Sequence, residues 1–216
     1  MKPLVAVVDY GMGNLKSVSQ AATRAAFDTS YEIVVTQSPD DVDRAERVIL
    51  PGQGAMRDCM RELAQSGLRE VLLDAITQKP LLGICVGLQM LLNHSEEQDT
   101  PGLGFIPGKV KRFNSDGVWA NSAEHCKVPQ IGWNQVNQRD TSHPMWANIP
   151  NNSWFYFVHS YYATPDREED IASHTEHGVR FVSAIVRDNV FATQFHPEKS
   201  ADHGLQLLQN FLTWSP

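Results

Sequence analysis

The chain has 216 residues, of which 42% are hydrophobic, and a formal net charge of −7. This length suits one large domain or two small ones, and the acidic balance argues against nucleic-acid binding, which usually requires a basic face. The apolar runs are too short to cross a bilayer and the N-terminal one is too short for a secretory signal, so we expect a cytoplasmic protein.

The first half of the chain alternates strand and helix patterns, which predicts a parallel sheet with right-handed crossovers. A continuous apolar run is typical of a strand covered on both faces, and apolar residues three or four apart indicate a helix. In chain order, we predict a strand over residues 4–8, a helix over 14–26, strands over 33–35 and 48–50, helices over 56–64 and 68–76, a strand over 81–84 and the start of a helix over 88–92.

The second half predicts consecutive strands, with a hairpin turn at Arg187-Asp188-Asn189. The expected architecture is a single α/β domain, residues 1–216, with an open, mostly parallel central sheet flanked by helices and with antiparallel strands in the C-terminal half. We predict strands over 109–113, 154–162, 181–186 and 190–195, an amphipathic helix over 203–214, and exposed polar loops at 96–101 and 165–170.

Residues 83–87 read Gly-Ile-Cys-Val-Gly, which sets a thiol between two glycines. In α/β enzymes this spacing makes a strand–turn–helix elbow, and the N-terminus of the following helix favours a thiolate at Cys85. An unreactive buried cysteine beside two glycines fits the same residues. The other cysteines, Cys59 and Cys126, are too widely spaced for a disulfide framework or a Cys-x-x-Cys metal site.

A proton partner for the thiol follows a later predicted strand. His196 and Glu198 are two residues apart, so their side chains point to the same side of an extended chain. A histidine base oriented by a carboxylate has this arrangement. An exposed His-Pro-Glu turn that closes a strand is the alternative interpretation.

Residues 49–56, with the sequence ILPGQGAM, form the third candidate segment. The glycines beside Gln53 let backbone N–H groups approach a ligand closely, and the loop follows a predicted strand, where open α/β sheets bind ligands. A plain strand-to-helix turn is also compatible with this segment alone. Together the three segments supply a nucleophile, a base with its orienting group, and oxyanion donors.

The sequences PGQG, GICVGLQML and FHPEKS, in this order, resemble the class I (triad) glutamine amidotransferase family over nearly the whole chain. The resemblance implies hydrolysis of the glutamine side-chain amide. It makes Cys85 the nucleophile, His196 the proton carrier and Glu198 the group that orients it. No metal or organic cofactor is implied.

The resemblance also implies which groups meet the substrate. Gln53 departs from the family pattern, because many relatives carry a small apolar residue there, but we expect its backbone N–H to serve. A helix-surface amide is the alternative for Gln89, and a solvated acidic loop is the alternative for Glu97. The implied oxyanion donors are N–H groups near Gly52, Gln53 and Val86, and the implied substrate contacts are Gln89, Glu97, Ser160 and Tyr161.

Within the family, the segments VVDYGMGNLKSV, LPGQGAM, IGWNQV and FVHSYY are similar to the glutaminase subunits of imidazole glycerol phosphate synthase, an enzyme of histidine biosynthesis. This similarity implies a heterodimer with a (β/α)8-barrel cyclase that consumes the ammonia. Aromatic residues are typical of interfaces but also of protein cores, and an isolated lysine is typical of any surface. The implied interface residues are Asn14, Trp133, Tyr156 and Lys199.

Three other functions stay open on sequence alone. The chain fits a glutaminase that serves another ammonia-dependent synthase, a cysteine peptidase or γ-glutamyl hydrolase on a similar scaffold, and a non-catalytic binding protein that kept the fold. The complete set of Cys85, His196 and Glu198 argues against the last of these.

Overall fold

Five parallel strands form the centre of the structure, a computed structural model that describes residues 2–113 and 126–216. They are β1 (Leu4–Val8), β2 (Glu32–Thr36), β3 (Arg47–Gly52), β4 (Leu81–Cys85) and β13 (Val190–Thr193). Their order across the sheet is β2-β1-β3-β4-β13. The strands β3, β4 and β13 are buried along their whole length, which explains why most of their residues are apolar.

Helices flank this parallel part of the sheet. In the described residues they are α1 (Leu15–Ala25), α2 (Pro39–Arg44), α3 (Met56–Ser66), α4 (Arg69–Gln78), α5 (Val86–Met90) and α6 (Ala201–Thr213). They pack in two groups, since α1 contacts α6, whereas α4 contacts α2 and α3. In α1 the buried residues Val18, Ala22 and Ala25 recur at helical spacing, so burial of one apolar stripe holds the helix in place.

Antiparallel strands extend the sheet in the C-terminal half. They are β5 (Leu92–Ser95), β6 (Thr100–Pro101), β7 (Ile106–Arg112), β8 (Gln130–Gln138), β9 (Ser153–His159), β10 (Tyr161–Pro165), β11 (Ile171–His177) and β12 (Val179–Arg187). β12 pairs with β13 and continues the sheet through β10, β7, β5 and β6, with β7 and β5 parallel to each other. β11 also pairs with β12 and joins it to a ribbon of β8 and β9. The predicted fold class is confirmed.

Some predicted boundaries are wrong. The strand predicted over 154–162 is two strands, because the chain breaks at Ser160 and β9 and β10 then pair with different neighbours. The helix predicted to start within 88–92 is α5, which ends at Met90 because the chain then joins the sheet as β5.

The two predicted polar loops contain short elements. The loop 96–101 ends in β6, and the loop 165–170 includes a short 3-10 helix. Asp170 in that helix is only 3% exposed, contrary to the expected exposed loop, and lies 3.7 Å from Arg187. The ion pair explains how a carboxylate comes to be buried there.

The elements α2, β8 and β11 were not predicted from the sequence. Polar residues outnumber apolar ones in all three, and the regular alternation of β8 places its apolar residues Ile131 and Trp133 at exposed positions. Their position depends on pairing and packing with distant parts of the chain, which no local pattern encodes.

A buried arginine ties the end of the chain to the central sheet. Arg47 begins β3 and is 7% exposed. Its guanidinium donates to the carbonyls of Phe211 and Trp214 at 3.0 and 2.7 Å. It also donates to the Tyr31 hydroxyl at 3.0 Å.

Replacing this arginine tests how much its three hydrogen bonds stabilise the fold. Arg47→Met is expected to lower the free energy of unfolding by about 2–4 kcal/mol, because two buried carbonyls lose a charged donor. Urea unfolding with an unchanged m-value measures this change. The control is Arg44→Met, which removes an exposed ion pair with Asp41 and should change little. Equal effects of the two substitutions would show that the buried hydrogen bonds of Arg47 do not stabilise the fold.

Candidate active site

Cys85 lies at the apex of a sharp turn between β4 and α5. Its backbone has φ 55° and ψ −108°, a conformation that costs a non-glycine residue about 1–3 kcal/mol. A Cβ atom on Gly87 would lie 2.1 Å from the Leu50 carbonyl oxygen, and one on Gly83 would lie 2.9 Å from the Ala192 Cβ. Both glycines are therefore required by close packing, and the chain has the strand, turn and helix of the predicted elbow.

Three adjacent parallel strands bring the candidate segments together. β4 lies between β3 and β13. Gly52 of β3 pairs with Cys85, and Thr193 of β13 pairs with Ile84. His196 follows β13 by three residues. Because the carboxyl ends of parallel strands meet at one edge, segments far apart in sequence converge on the sulfur.

The imidazole of His196 is fixed by its side chain and by its backbone. Nδ1 lies 2.8 Å from Glu198 Oε1, and the two side chains are 4% and 1% exposed. The His196 N–H donates to the Tyr156 carbonyl at 2.9 Å. Ser200 Oγ donates to the His196 carbonyl at 2.6 Å and accepts from the Tyr156 N–H at 3.0 Å. These three bonds attach the histidine to β9.

The charges of the site favour a protonated imidazole. Burial alone would lower the pKa of His196, but interactions with the Cys85 side chain and with Glu198 outweigh burial and raise this pKa to about 10. Nε2 is buried and has no hydrogen-bond partner of normal geometry among the described residues. The nitrogen is thus free to exchange a proton with a substrate. Cys85 and His196 line the same cavity.

Two side chains hold carbonyls at the end of β3 and in the loop that follows it. The Tyr10 hydroxyl donates to the Pro51 carbonyl at 2.8 Å, and the Cys59 thiol donates to the Gln53 carbonyl at 3.4 Å. Burial raises the pKa of Cys59, which keeps this thiol neutral, so Cys59 is a structural donor. The Gln53 side chain itself is exposed.

A cavity of about 320 Å³ opens beside the sulfur. Gly52 lies behind it, where a Cβ would lie 2.8 Å from the Val86 Cβ, and Glu198 lies behind His196. The sequence-predicted residues that line the cavity are Gln53, Cys85, Val86, Gln89, Glu97, Ser160, Tyr161, His196 and Lys199.

Gln89 is not a helix-surface amide. It is 3% exposed, and its Nε2 donates to the Tyr161 carbonyl at 3.2 Å and to Gln194 Oε1 at 3.1 Å. Its amide nitrogen is thus occupied by protein groups, while the residue still lines the cavity.

Glu97 is likewise not part of a purely solvated loop. One carboxylate oxygen accepts the Met56 N–H at 2.7 Å, at the N-terminus of α3, which no side chain of its own caps. A carboxylate in this position stabilises the helix start. Glu97 thus connects the cavity to the helix that follows the glycine-rich loop.

Two residues that sequence reasoning did not identify also contact this site. Gln194 Nε2 lies 3.6 Å from Cys85 Sγ. Gln194 precedes His196 by two residues, so the alternation that identified Glu198 could have found it. His159 lies in the cavity wall, with Nδ1 2.7 Å from the Tyr161 carbonyl and Nε2 3.0 Å from the Gln130 amide. Burial lowers the pKa of His159 to about 3, although the bond to Tyr161 opposes this shift.

An apolar face adjoins the cavity on the ribbon of β8 and β9. Trp133 pairs with Tyr156, and Ile131 pairs with Val158, so these four side chains share one face with Trp154. Ile131, Trp133 and Trp154 are 64%, 49% and 51% exposed. Trp133 is therefore not a core residue.

The apolar face and the cavity share an edge. Lys199 lines the cavity, and its Nζ lies 5.8 Å from the centre of the Tyr156 ring. Val158 also lines the cavity. Asn14 lies on a different element, at the N-terminal end of α1.

Known proteins of similar sequence and fold place the chain in a family. The model of the class-I glutamine amidotransferase family matches residues 6–214. The "imidazole glycerol phosphate synthase subunit HisH" of Aromatoleum aromaticum and that of Nitrosospira multiformis are each 52% identical to this chain. Both alignments cover 98% of this chain, and they cover 99% and 98% of the respective relatives.

Two solved structures share the fold. The glutaminase domain of Trypanosoma brucei CTPS is 17% identical, covers 99% of this chain and 95% of its own, and gives a TM-score of 0.64. A glutamine amidotransferase from Thermotoga maritima is 16% identical, with coverages of 99% and 84% and a TM-score of 0.58.

Residues 2–113 and 126–216 contain neither a candidate metal site nor a membrane-spanning helix. No group of three or more His, Cys, Asp or Glu side chains there is arranged to hold a metal ion. No helix in these ranges has the length and apolar character needed to span a bilayer.

The ionisation of the buried side chains of His159 and His196 is measurable by NMR titration. His196 is expected to remain protonated at pH 8 and to lose its proton only near pH 10, and Cys85→Ala and Glu198→Gln should each lower that midpoint. His159 is the internal control, because it should stay neutral from about pH 4 upward in every variant. A His196 midpoint near the ordinary value of about 6.5 would rule out the ion pair.

Proposed function

The chain belongs to the class-I glutamine amidotransferase family, and we propose that it is the glutaminase subunit of an imidazole glycerol phosphate synthase. In this role it hydrolyses the side-chain amide of L-glutamine to glutamate and passes the ammonia to a cyclase. The observation that carries the proposal is that Cys85 and His196 line one cavity, with Glu198 bonded to the far nitrogen of the imidazole. The names of the relatives support the choice of synthase.

In the first half of the reaction, the Cys85 thiolate attacks the amide carbon and a C–S bond forms. The negative charge moves to the amide oxygen, which the backbone N–H groups of Val86, Gln53 and Gly52 are suited to meet. Val86 is the first residue of α5, so its N–H has no acceptor within the helix. His196 then gives its Nε2 proton to the leaving nitrogen, the C–N bond breaks, and ammonia leaves behind a thioester.

In the second half, water attacks the thioester. His196 is now neutral and takes the proton of the water at Nε2, while the oxygen bonds to the carbonyl carbon. The C–S bond breaks, glutamate leaves, and sulfur returns as a thiolate beside the imidazolium. Glu198 holds Nδ1 throughout and stabilises the charged form.

The cavity also has groups for the amino-acid end of glutamine. The second carboxylate oxygen of Glu97 is suited to the ammonium, and Ser160 and Tyr161 provide polar atoms for the carboxylate. Because Glu97 also accepts the Met56 N–H, an ammonium bound there contacts the same carboxylate that anchors α3. Substrate binding and the position of the glycine-rich loop are thus connected through one side chain.

The partner is a (β/α)8-barrel cyclase that docks on the apolar face of β8 and β9. Ammonia must travel unprotonated, which requires a path closed to water, and the face borders the cavity at Lys199 and Val158. Tyr156 belongs to this face, and its backbone bonds to His196 and Ser200. Asn14 contributes from the start of α1. The complex is a cytoplasmic heterodimer, and residues 1–216 act as one amidotransferase domain without a metal or organic cofactor.

Ammonia release from glutamine tests the activity. The isolated chain should release ammonia slowly, and the cyclase with its bound substrate should accelerate release strongly. Cys85→Ala should reduce the stimulated rate by at least about a thousandfold, as for other nucleophile deletions, without changing the thermal unfolding midpoint. Cys126→Ala is the matched control and should keep the rate.

Other results of this assay would reject the proposal. Unchanged release by Cys85→Ala would remove the thiol from the mechanism. Cleavage of peptides but not of glutamine would identify a peptidase, and stimulation by a different synthase but not by the cyclase would reassign the partner.

The docking face is tested by calorimetric titration with the cyclase. Trp133→Ala should weaken binding by about 2 kcal/mol or more, as is typical of an interface tryptophan. Phe27→Ala is the control. Phe27 is 86% exposed, but it follows the C-terminal end of α1 and does not belong to the ribbon of β8 and β9. Equal affinities of the two variants would place the interface elsewhere.

A further inference from the structure

Gln194 contacts the reacting sulfur from a fully buried position. It is 0% exposed, follows β13, and its backbone N–H donates to the Ser183 carbonyl at 2.9 Å. The side-chain Nε2 lies 3.6 Å from Cys85 Sγ. Because the side chain has no access to solvent, its amide cannot rotate away to bond water, and the contact with the sulfur is a fixed part of the site.

A second glutamine fixes which end of the Gln194 amide faces the sulfur. Gln89 Nε2 donates to Gln194 Oε1 at 3.1 Å and to the Tyr161 carbonyl at 3.2 Å. Because Gln194 Oε1 already accepts from Gln89, the NH2 group is the end that points to Cys85. The sulfur therefore faces a hydrogen-bond donor.

We propose that Gln194 is a catalytic residue that stabilises the thiolate of Cys85 through this neutral donor. A donor bonded to sulfur favours the thiolate over the thiol, since charge strengthens a hydrogen bond. The imidazolium of His196 does the same, but only until it gives up its proton.

The neutral donor matters most when the thioester breaks down. His196 begins that half of the reaction neutral and gains its charge only as water attacks, so the Gln194 N–H is the donor that faces the sulfur both before and after that proton transfer. Gln194 has no proton to lose in the cycle, so its N–H is available in both halves. Gln89 is a positioning residue, because it acts on the sulfur through Gln194.

This inference rests on the proposed role of the thiol, and its test needs no glutamine. The rate of iodoacetamide alkylation of Cys85 is followed against pH by mass spectrometry of the Cys85 peptide. Gln194→Met should raise the pH of half-maximal alkylation by about one unit, the effect of losing one hydrogen bond to a charged group. Cys126 in the same samples should react at an unchanged rate.

Two further variants separate the loss of the Gln194 donor from the general effect of substituting a buried glutamine. Gln194→Glu retains the shape and the acceptor for Gln89, and should move the midpoint at least as far, because a carboxylate repels the thiolate. Gln138→Met is the matched control, since Gln138 is 5% exposed and donates to the Ile149 carbonyl.

The outcomes separate the two claims. A midpoint that moves in both Gln194 variants and stays in Gln138→Met supports the inference even if wild type releases no ammonia from glutamine, a result that would count against the proposed function alone. Midpoints that equal wild type in folded Gln194→Met or Gln194→Glu overturn the inference.

Discussion

The pairing of the Cys85 sulfur with a protonated His196 imidazole is the interaction on which the proposed chemistry depends. It exists because three parallel strands lie side by side. The middle strand β4 ends in Cys85, β3 leads into the glycine-rich loop, and β13 leads to His196. Their carboxyl ends reach one edge, so the order of strands in the sheet, more than any local motif, assembles the chemistry.

The strained elbow shows how packing maintains this geometry. Cys85 adopts a positive φ that its own preferences disfavour. The packing of Gly87 against the Leu50 carbonyl leaves room for no side chain. The surrounding β3, β4 and α5 therefore fix a conformation that Cys85 would not adopt alone, and the thiol is presented to the cavity in one orientation.

The base is held as firmly as the nucleophile, but from another direction. The ring of hydrogen bonds among Tyr156, Ser200 and His196 joins the proposed base to β9. The Tyr156 side chain lies on the apolar face beside Trp133. A partner docked on that face would contact β9, and the backbone of β9 is hydrogen-bonded to His196. One strand therefore connects the docking face with the proposed base.

Much of this could be predicted from the sequence, because each candidate segment is a short local motif. The apolar runs indicated all five central strands, but the strand over 190–195 was expected among the antiparallel strands of the C-terminal half, whereas β13 runs parallel to β4. The spacing of Cys85 between glycines indicated the elbow. What could not be predicted depends on long-range contacts. The division at Ser160 arises from strand pairing, the role of Glu97 in capping α3 joins segments 41 residues apart, and the contact of Gln194 with sulfur spans 109 residues.

The most direct measurement of the central claim is the detection of the covalent intermediate. The chain, with its cyclase partner, is mixed with glutamine, quenched in acid and digested, and its peptides are weighed by mass spectrometry. The account predicts one glutamyl group on the peptide that contains Cys85, and none on the peptides of Cys59 or Cys126. Ammonia release without any adduct on Cys85, or an adduct on another cysteine, would contradict it.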